Sequence, residues 1–157
     1  MPKNIDGKKL GGNDDFCLRM EHDQNEWSIA LIWILEGNIE LELTKEVFRQ
    51  LILQFPRFKC TVYGGGSWSK YRWKEVKNFD VSNNIRVNTL STGTIDELKE
   101  CAMKNLSEKL DFTKPLWNAY IYYGLEGGNC SAMAIKIHHC IADGTGAMRA
   151  LLSLTSD

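Results

Sequence analysis

The sequence has no strong excess of charge: its 157 residues hold 19 Lys and Arg against 20 Asp and Glu, for a net charge of −1 and a pI near 6.3. This balance excludes a broad cationic surface, and nucleic acid is not an expected partner. Long apolar runs are also missing. The longest near the N-terminus, Ile29 to Leu35, is far short of the roughly 20 residues that span a bilayer, so it reads as a buried strand and any membrane contact is expected to be peripheral. The opening stretch, MPKNIDGKKLGGNDD, has no apolar central region, and no signal peptide is expected. The five cysteines, Cys17, Cys60, Cys101, Cys130 and Cys140, include no C-x-x-C pair and are odd in number. That argues against a disulfide framework or a zinc knuckle and for reduced thiols in a cytosolic setting, with no metal site. There is no internal repeat. The triple glycine at Gly64–Gly66 lacks the following Lys-Ser/Thr of a phosphate loop and opens no helix, so it reads as a hairpin turn.

What remains is ordinary globular composition, 43% apolar and 25% charged, at the length of one domain. Residues 1–15, rich in Gly, Asn, Asp and Lys, are expected to be flexible, and residues 16–157 to carry the fold. Trp27–Glu36 reads as a strand. Thr44 is placed to cap a helix running to Gln54, whose apolar face is Val47, Phe48, Leu51, Ile52 and Phe55. Pro56 ends it. Phe58–Tyr63 and Lys70–Glu75 read as a hairpin. Thr94-Ile-Asp-Glu97 fits a capping box, followed by a stripe of Leu98, Ala102, Leu106 and Leu110. Pro115–Tyr123 and Ser131–His139 read as strands joined at EGGN, and Gly144 to about Leu154 as a closing helix. The fold class is therefore α/β: a two-layer sandwich of a mixed sheet with packed helices.

The chemically suggestive stretch is KIHHCIADGTG, Lys136–Gly146. Side chains alternate along a strand, so His138 and His139 are expected on opposite faces, with His139 on the face of Met133, Ile135 and Ile137. Adjacent strand histidines chelate one metal poorly. An imidazole shielded by Met and Ile tends to stay neutral, and a neutral imidazole at a strand end is a competent general base. Asp143 can cap the closing helix or pair with a distant arginine and pin the loop, and Gly144 permits a backbone shape or approach that a side chain blocks. These residues equally suit a plain turn and cap between core elements. From spacing alone, both readings stand.

HHCIADG matches the HHxxxDG signature of the coenzyme-A-dependent acyltransferase superfamily. Leu110–Leu154 resembles the wax ester synthase/diacylglycerol acyltransferase family almost throughout, with Pro115-Leu116-Trp117 matching its PLW motif. FPRFK, Phe55–Lys59, and FDVSNNIRV, Phe79–Val87, resemble its other N-terminal landmarks. The spacer Cys140-Ile141-Ala142 departs from the more aliphatic triplet of many members. The resemblance implies one half of a chloramphenicol-acetyltransferase-like fold, corresponding to the N-terminal half of the acyltransferase domain, with the C-terminal half absent from this sequence. It implies transfer of a fatty acyl group from acyl-CoA, a co-substrate and not a bound cofactor, to diacylglycerol or a long-chain alcohol. The products are triacylglycerol or wax ester. His139 is then the base and Asp143 orients its loop; His138, Gly144, Pro115, Leu116 and Trp117 are structural, and Cys140 has no role. Arg57 is the expected partner of Asp143, with Arg19 as runner-up. Peripheral contact with the endoplasmic reticulum, plasma membrane or lipid droplets follows from the apolar substrates. So does completion of the site by a second half or by self-association. An inactive half-domain, or another acyl-CoA-dependent transferase of the superfamily, are the alternatives.

Overall fold

Runs of β-branched and aromatic residues build the sheet of the computed structural model, which describes residues 4–22 and 25–142. The strands are β1 (Ser28–Glu36), β2 (Cys60–Gly64), β3 (Tyr71–Glu75), β4 (Ile85–Thr89), β5 (Trp117–Leu125) and β6 (Cys130–His138). The helices are α1 (Gly12–Met20), α2 (Leu41–Gln54) and α3 (Ile95–Ser107). The main sheet has the order β1-β6-β5-β4, antiparallel except for the parallel β4–β5 pair, and β2–β3 form a separate hairpin. This is the mixed sheet with packed helices that the sequence implies.

The central strands β5 and β6 are buried on both faces. One face carries Trp117, Ala119, Ile121, Met133, Ile135 and Ile137, packed with Phe48 and Leu51 of α2 and with Trp73 of the hairpin. The other carries Tyr120, Tyr122, Ala132 and Ala134 against Leu98 and Ala102 of α3. Lys136, also on the α3 face, is 2% exposed. Its ammonium donates to the Leu106 and Glu108 carbonyls at the end of α3 and pairs with Glu26 at 2.6 Å. A buried cation is tolerable only with such partners.

Several boundaries differ from expectation. Residues 4–15, expected to be flexible, are tied down. Gly7 N–H donates to Trp73 O, Leu10 N–H donates to Tyr71 O, and Leu10 is buried. Asp15 accepts from Tyr71 N–H and from Arg19 Nε, joining α1 to β3. Burial works against ionisation of Asp15, but these donors outweigh it and hold its carboxyl below the usual range. Helix α2 starts one turn before Thr44, whose hydroxyl donates back to the Glu40 carbonyl instead of capping. A short 3₁₀ turn, Pro56–Lys59, precedes β2 where strand was expected from Phe58. The triple glycine does close a hairpin: a Cβ at Gly65 would lie 2.1 Å from the Tyr71 ring. Strand β6 stops at His138, one residue early. The expected closing helix, with Asp143 and Gly144, lies outside the described residues.

The Thr94 cap is present, accepting from Glu97 N–H at 3.2 Å. The Glu97 carboxylate reaches further back than a simple capping box, accepting from the backbone amides of Ser91, Thr92 and Gly93 and from the Ser91 and Thr92 hydroxyls. These donors, Ser91 and Thr92 foremost, pull its pKa down to about 2. A depressed folded-state pKa stabilises the fold above the unfolded value, 4.5, and that contribution is lost as pH falls towards about 2. Glu97→Gln is therefore expected to flatten the fall in melting temperature across that window, and parallel melts of the two proteins check it.

Candidate active site

The turn after β6 is built by local and long-range hydrogen bonds. His138 ends the strand fully buried, its N–H donating to Leu116 O at 2.9 Å. Its Nδ1 accepts the Cys140 N–H at 3.0 Å, and Ile141 N–H donates back to His138 O at 3.0 Å. The chain turns there, at residues 139–141. His138 Nε2 lies 2.7 Å from Glu21 Oε2, and the Phe112 ring sits edge-on to it. Glu21, just past the end of α1, also accepts from Trp27 N–H. Burial lowers the pKa of His138, with Glu21 pulling the other way.

His139 is half-buried in the turn, one residue past the end of β6. Its N–H donates to Trp27 O at 2.7 Å, its ring meets the Trp27 ring edge-on, and its Nδ1 lies 3.7 Å from Cys17 Sγ. Among the described residues no hydrogen bond engages Nε2.

Arg57 spans from the 3₁₀ turn before β2 to this loop. Its Nη1 donates to the Cys140 and Ile141 carbonyls at 3.3 and 3.2 Å, its Nη2 pairs with Asp14 at 3.2 Å, and its guanidinium lies over the Trp73 ring. So Arg57 grips the backbone just before Asp143, which lies outside the described residues together with any contact it makes. Arg19, the second candidate, is engaged by Asp15 and the Ser69 carbonyl. Cys140 is fully buried, and burial pushes its thiol far up. It is therefore a poor nucleophile. Cys17, also buried, has its thiol pushed up by burial and then by Asp14.

Pro115, Leu116 and Trp117 are buried where β5 begins. Trp117 Nε1 donates to Phe58 O at 2.7 Å, and its ring stacks on Phe48. Glu21, Cys17, Trp27 and Asp14 were not legible as site residues. Glu21 and His138 are 117 positions apart, and no local spacing announces their contact. Among the described residues, no group of three His, Cys, Asp or Glu side chains gathers to hold a metal, and no helix is long and apolar enough to cross a membrane.

A putative diacylglycerol O-acyltransferase of Mycobacterium tuberculosis is 34% identical over 118 residues, 74% of this chain and 25% of the relative. The O-acyltransferase WSD of Acinetobacter baylyi is 41% identical over 78 residues, covering 49% of this chain and 17% of that protein. The wax ester synthase/diacylglycerol acyltransferase of Marinobacter aquaeolei VT8 superposes with a TM-score of 0.71 at 22% identity, covering 90% of this chain and 37% of that one. A starter condensation domain of rhizomide synthetase, solved with C8-CoA, superposes with a TM-score of 0.75 at 14% identity, over 95% of this chain and 34% of that one. The chain thus spans a quarter of the length of the mycobacterial relative and about a third of the two solved structures. Residues 10–157 match the wax ester synthase/diacylglycerol acyltransferase catalytic domain, and the chain belongs to that family.

Proposed function

We propose that this chain supplies the base-bearing half of an O-acyltransferase that moves a fatty acyl group from acyl-CoA to diacylglycerol or a long-chain alcohol. The observation that carries the reading is His139, set off the strand end by a braced turn, with Nδ1 against Cys17 and Nε2 free of hydrogen bonds among the described residues. Nε2 removes the proton of the acceptor hydroxyl as its oxygen attacks the thioester carbonyl. The tetrahedral intermediate collapses, the C–S bond breaks, and the departing coenzyme A thiolate takes the proton back from His139. The products are an ester and free coenzyme A. No acyl-enzyme forms and no cofactor is required. Asp143 orients the loop, in concert with the Arg57 grip on the Cys140 and Ile141 carbonyls. Peripheral contact with a lipid surface supplies the apolar substrates.

The chain covers 37% of the Marinobacter protein, so a second half, or a second copy, completes the substrate tunnel in this reading. The test is acyl transfer from palmitoyl-CoA to diacylglycerol and to hexadecanol, by this chain alone and by the chain extended to the length of its relatives. Ester formation by either, with one coenzyme A released per ester, supports the proposal. A folded, extended protein that forms no ester with either acceptor overturns it.

A further inference from the structure

The first histidine of the pair has a proton assignment that the geometry decides. The Cys140 N–H points at His138 Nδ1 from 3.0 Å. An amide can only donate, so Nδ1 must be the lone-pair nitrogen. The ring proton then sits on Nε2 and is donated to Glu21 Oε2, 2.7 Å away. The pair is an oriented relay: a carboxylate fixes a tautomer, and that tautomer caps a backbone amide. His138 is 0% exposed, so no solvent competes for either nitrogen. Glu21 is itself anchored by Trp27 N–H, and Trp27 O accepts from His139 N–H. Both branches from Glu21 therefore end at the turn carrying His139.

We propose that Glu21 and His138 are positioning residues that hold the His139 turn by locking His138 as the neutral Nε2–H tautomer. Loss of the Glu21 acceptor frees the ring to take its proton on Nδ1. The cap on Cys140 N–H is then lost, and the turn relaxes. That His139 is the base rests on the preceding proposal; the tautomer of His138 does not.

The relay separates into two testable halves. An Asn side chain at position 138 can place its carbonyl oxygen where Nδ1 sits and keep the cap, but it falls short of Glu21. A Gln can reach towards Glu21 but abandons the cap. The first measurement is the long-range proton–nitrogen NMR spectrum of the imidazoles in the wild-type chain at neutral pH. It needs neither turnover nor a stable variant. A neutral Nε2–H ring at His138 is expected. A neutral Nδ1–H ring, or an imidazolium, overturns the proposal. The second measurement compares Glu21→Gln, which keeps an acceptor, with Glu21→Met, which removes it at similar size. Glu21→Met and His138→Gln are expected to displace the His139 ring signals, while Glu21→Gln and His138→Asn largely preserve them. In an active extended protein, the first two lower kcat by about 10²-fold, the scale of a small misplacement of a reacting group, with KM little changed. Unchanged His139 signals in folded Glu21→Met protein overturn the proposal even if the enzyme is active. A correct tautomer in a protein without turnover leaves the relay standing and removes only the acyl-transfer reading.

Discussion

His139→Ala is expected to lower acyl transfer by about 10²–10⁴-fold, the range that a positioned general base contributes. That corresponds to about 2.7–5.5 kcal/mol of transition-state stabilisation. The loss should fall on kcat, because the imidazole acts on a hydroxyl proton that moves only as the C–O bond forms, while binding of both substrates rests on other walls. The fold should survive. His139 is half-buried at the end of the sheet, and its backbone bond to Trp27 O does not depend on its side chain. Melting curves of the two proteins check this, and steady-state rates with saturating acceptor measure the effect. Pre-steady-state traces add a separate criterion. Direct attack by the acceptor predicts no burst of coenzyme A release, whereas a cysteine nucleophile would load one acyl group per site first. The buried Cys140, with its thiol pushed up, is unsuited to that role. A burst, or a His139→Ala enzyme within a few-fold of wild type, would remove His139 from the base position.

How much of this was legible varies with the kind of interaction. Strands β1, β5 and β6 were legible as runs of Ile, Leu, Tyr and Trp, and α3 from its Thr94 cap and four-residue stripe, because burial and local hydrogen bonding act within one element. Even there, the last member of the stripe, Leu110, lies beyond the end of α3 and is buried in the core on the other face of the sheet. Helix α1 was not legible. GNDDFCLRM carries only Cys17 and Leu18 as buried apolar residues, so its placement depends on Asp15 meeting Tyr71 N–H, 56 positions away. Strand β6 was read one residue too long, because its end is set by a turn in which the His138 side chain accepts the Cys140 N–H. Arg57 was read as the partner of Asp143, which lies outside the described residues. Its described partners are backbone carbonyls of residues 140 and 141 and the Asp14 carboxylate, and a carbonyl partner leaves no trace in side-chain identity.

Trp117→Ala is expected to destabilise the fold by about 3–5 kcal/mol, the range for removing a buried large aromatic. Trp117 is 0% exposed. Its ring stacks on Phe48 at 4.9 Å and 7°, and meets Phe58 and Phe79 at 5.9 and 6.4 Å. It thus joins α2, the 3₁₀ turn and the segment before β4 to the start of β5. Truncation also removes the Nε1 donor from Phe58 O, and a buried carbonyl left unpaired costs about 1–3 kcal/mol. Trp117→Phe separates these contributions: most of the ring area stays, the donor goes, and a smaller loss is expected. Urea unfolding measures both, with the midpoint shifting and the slope unchanged if the native core keeps its extent. Against a typical total of about 5–15 kcal/mol, the alanine variant is left marginal. The consequence reaches the site through the neighbouring residue. Leu116 O accepts the His138 N–H, so the anchored start of β5 holds the end of β6 from which the His139 turn departs. At temperatures where Trp117→Ala remains folded, kcat per folded molecule should fall only a few-fold. The larger loss of activity should track the folded fraction on warming. A fall of the His139→Ala size in fully folded protein would instead place Trp117 in contact with substrate.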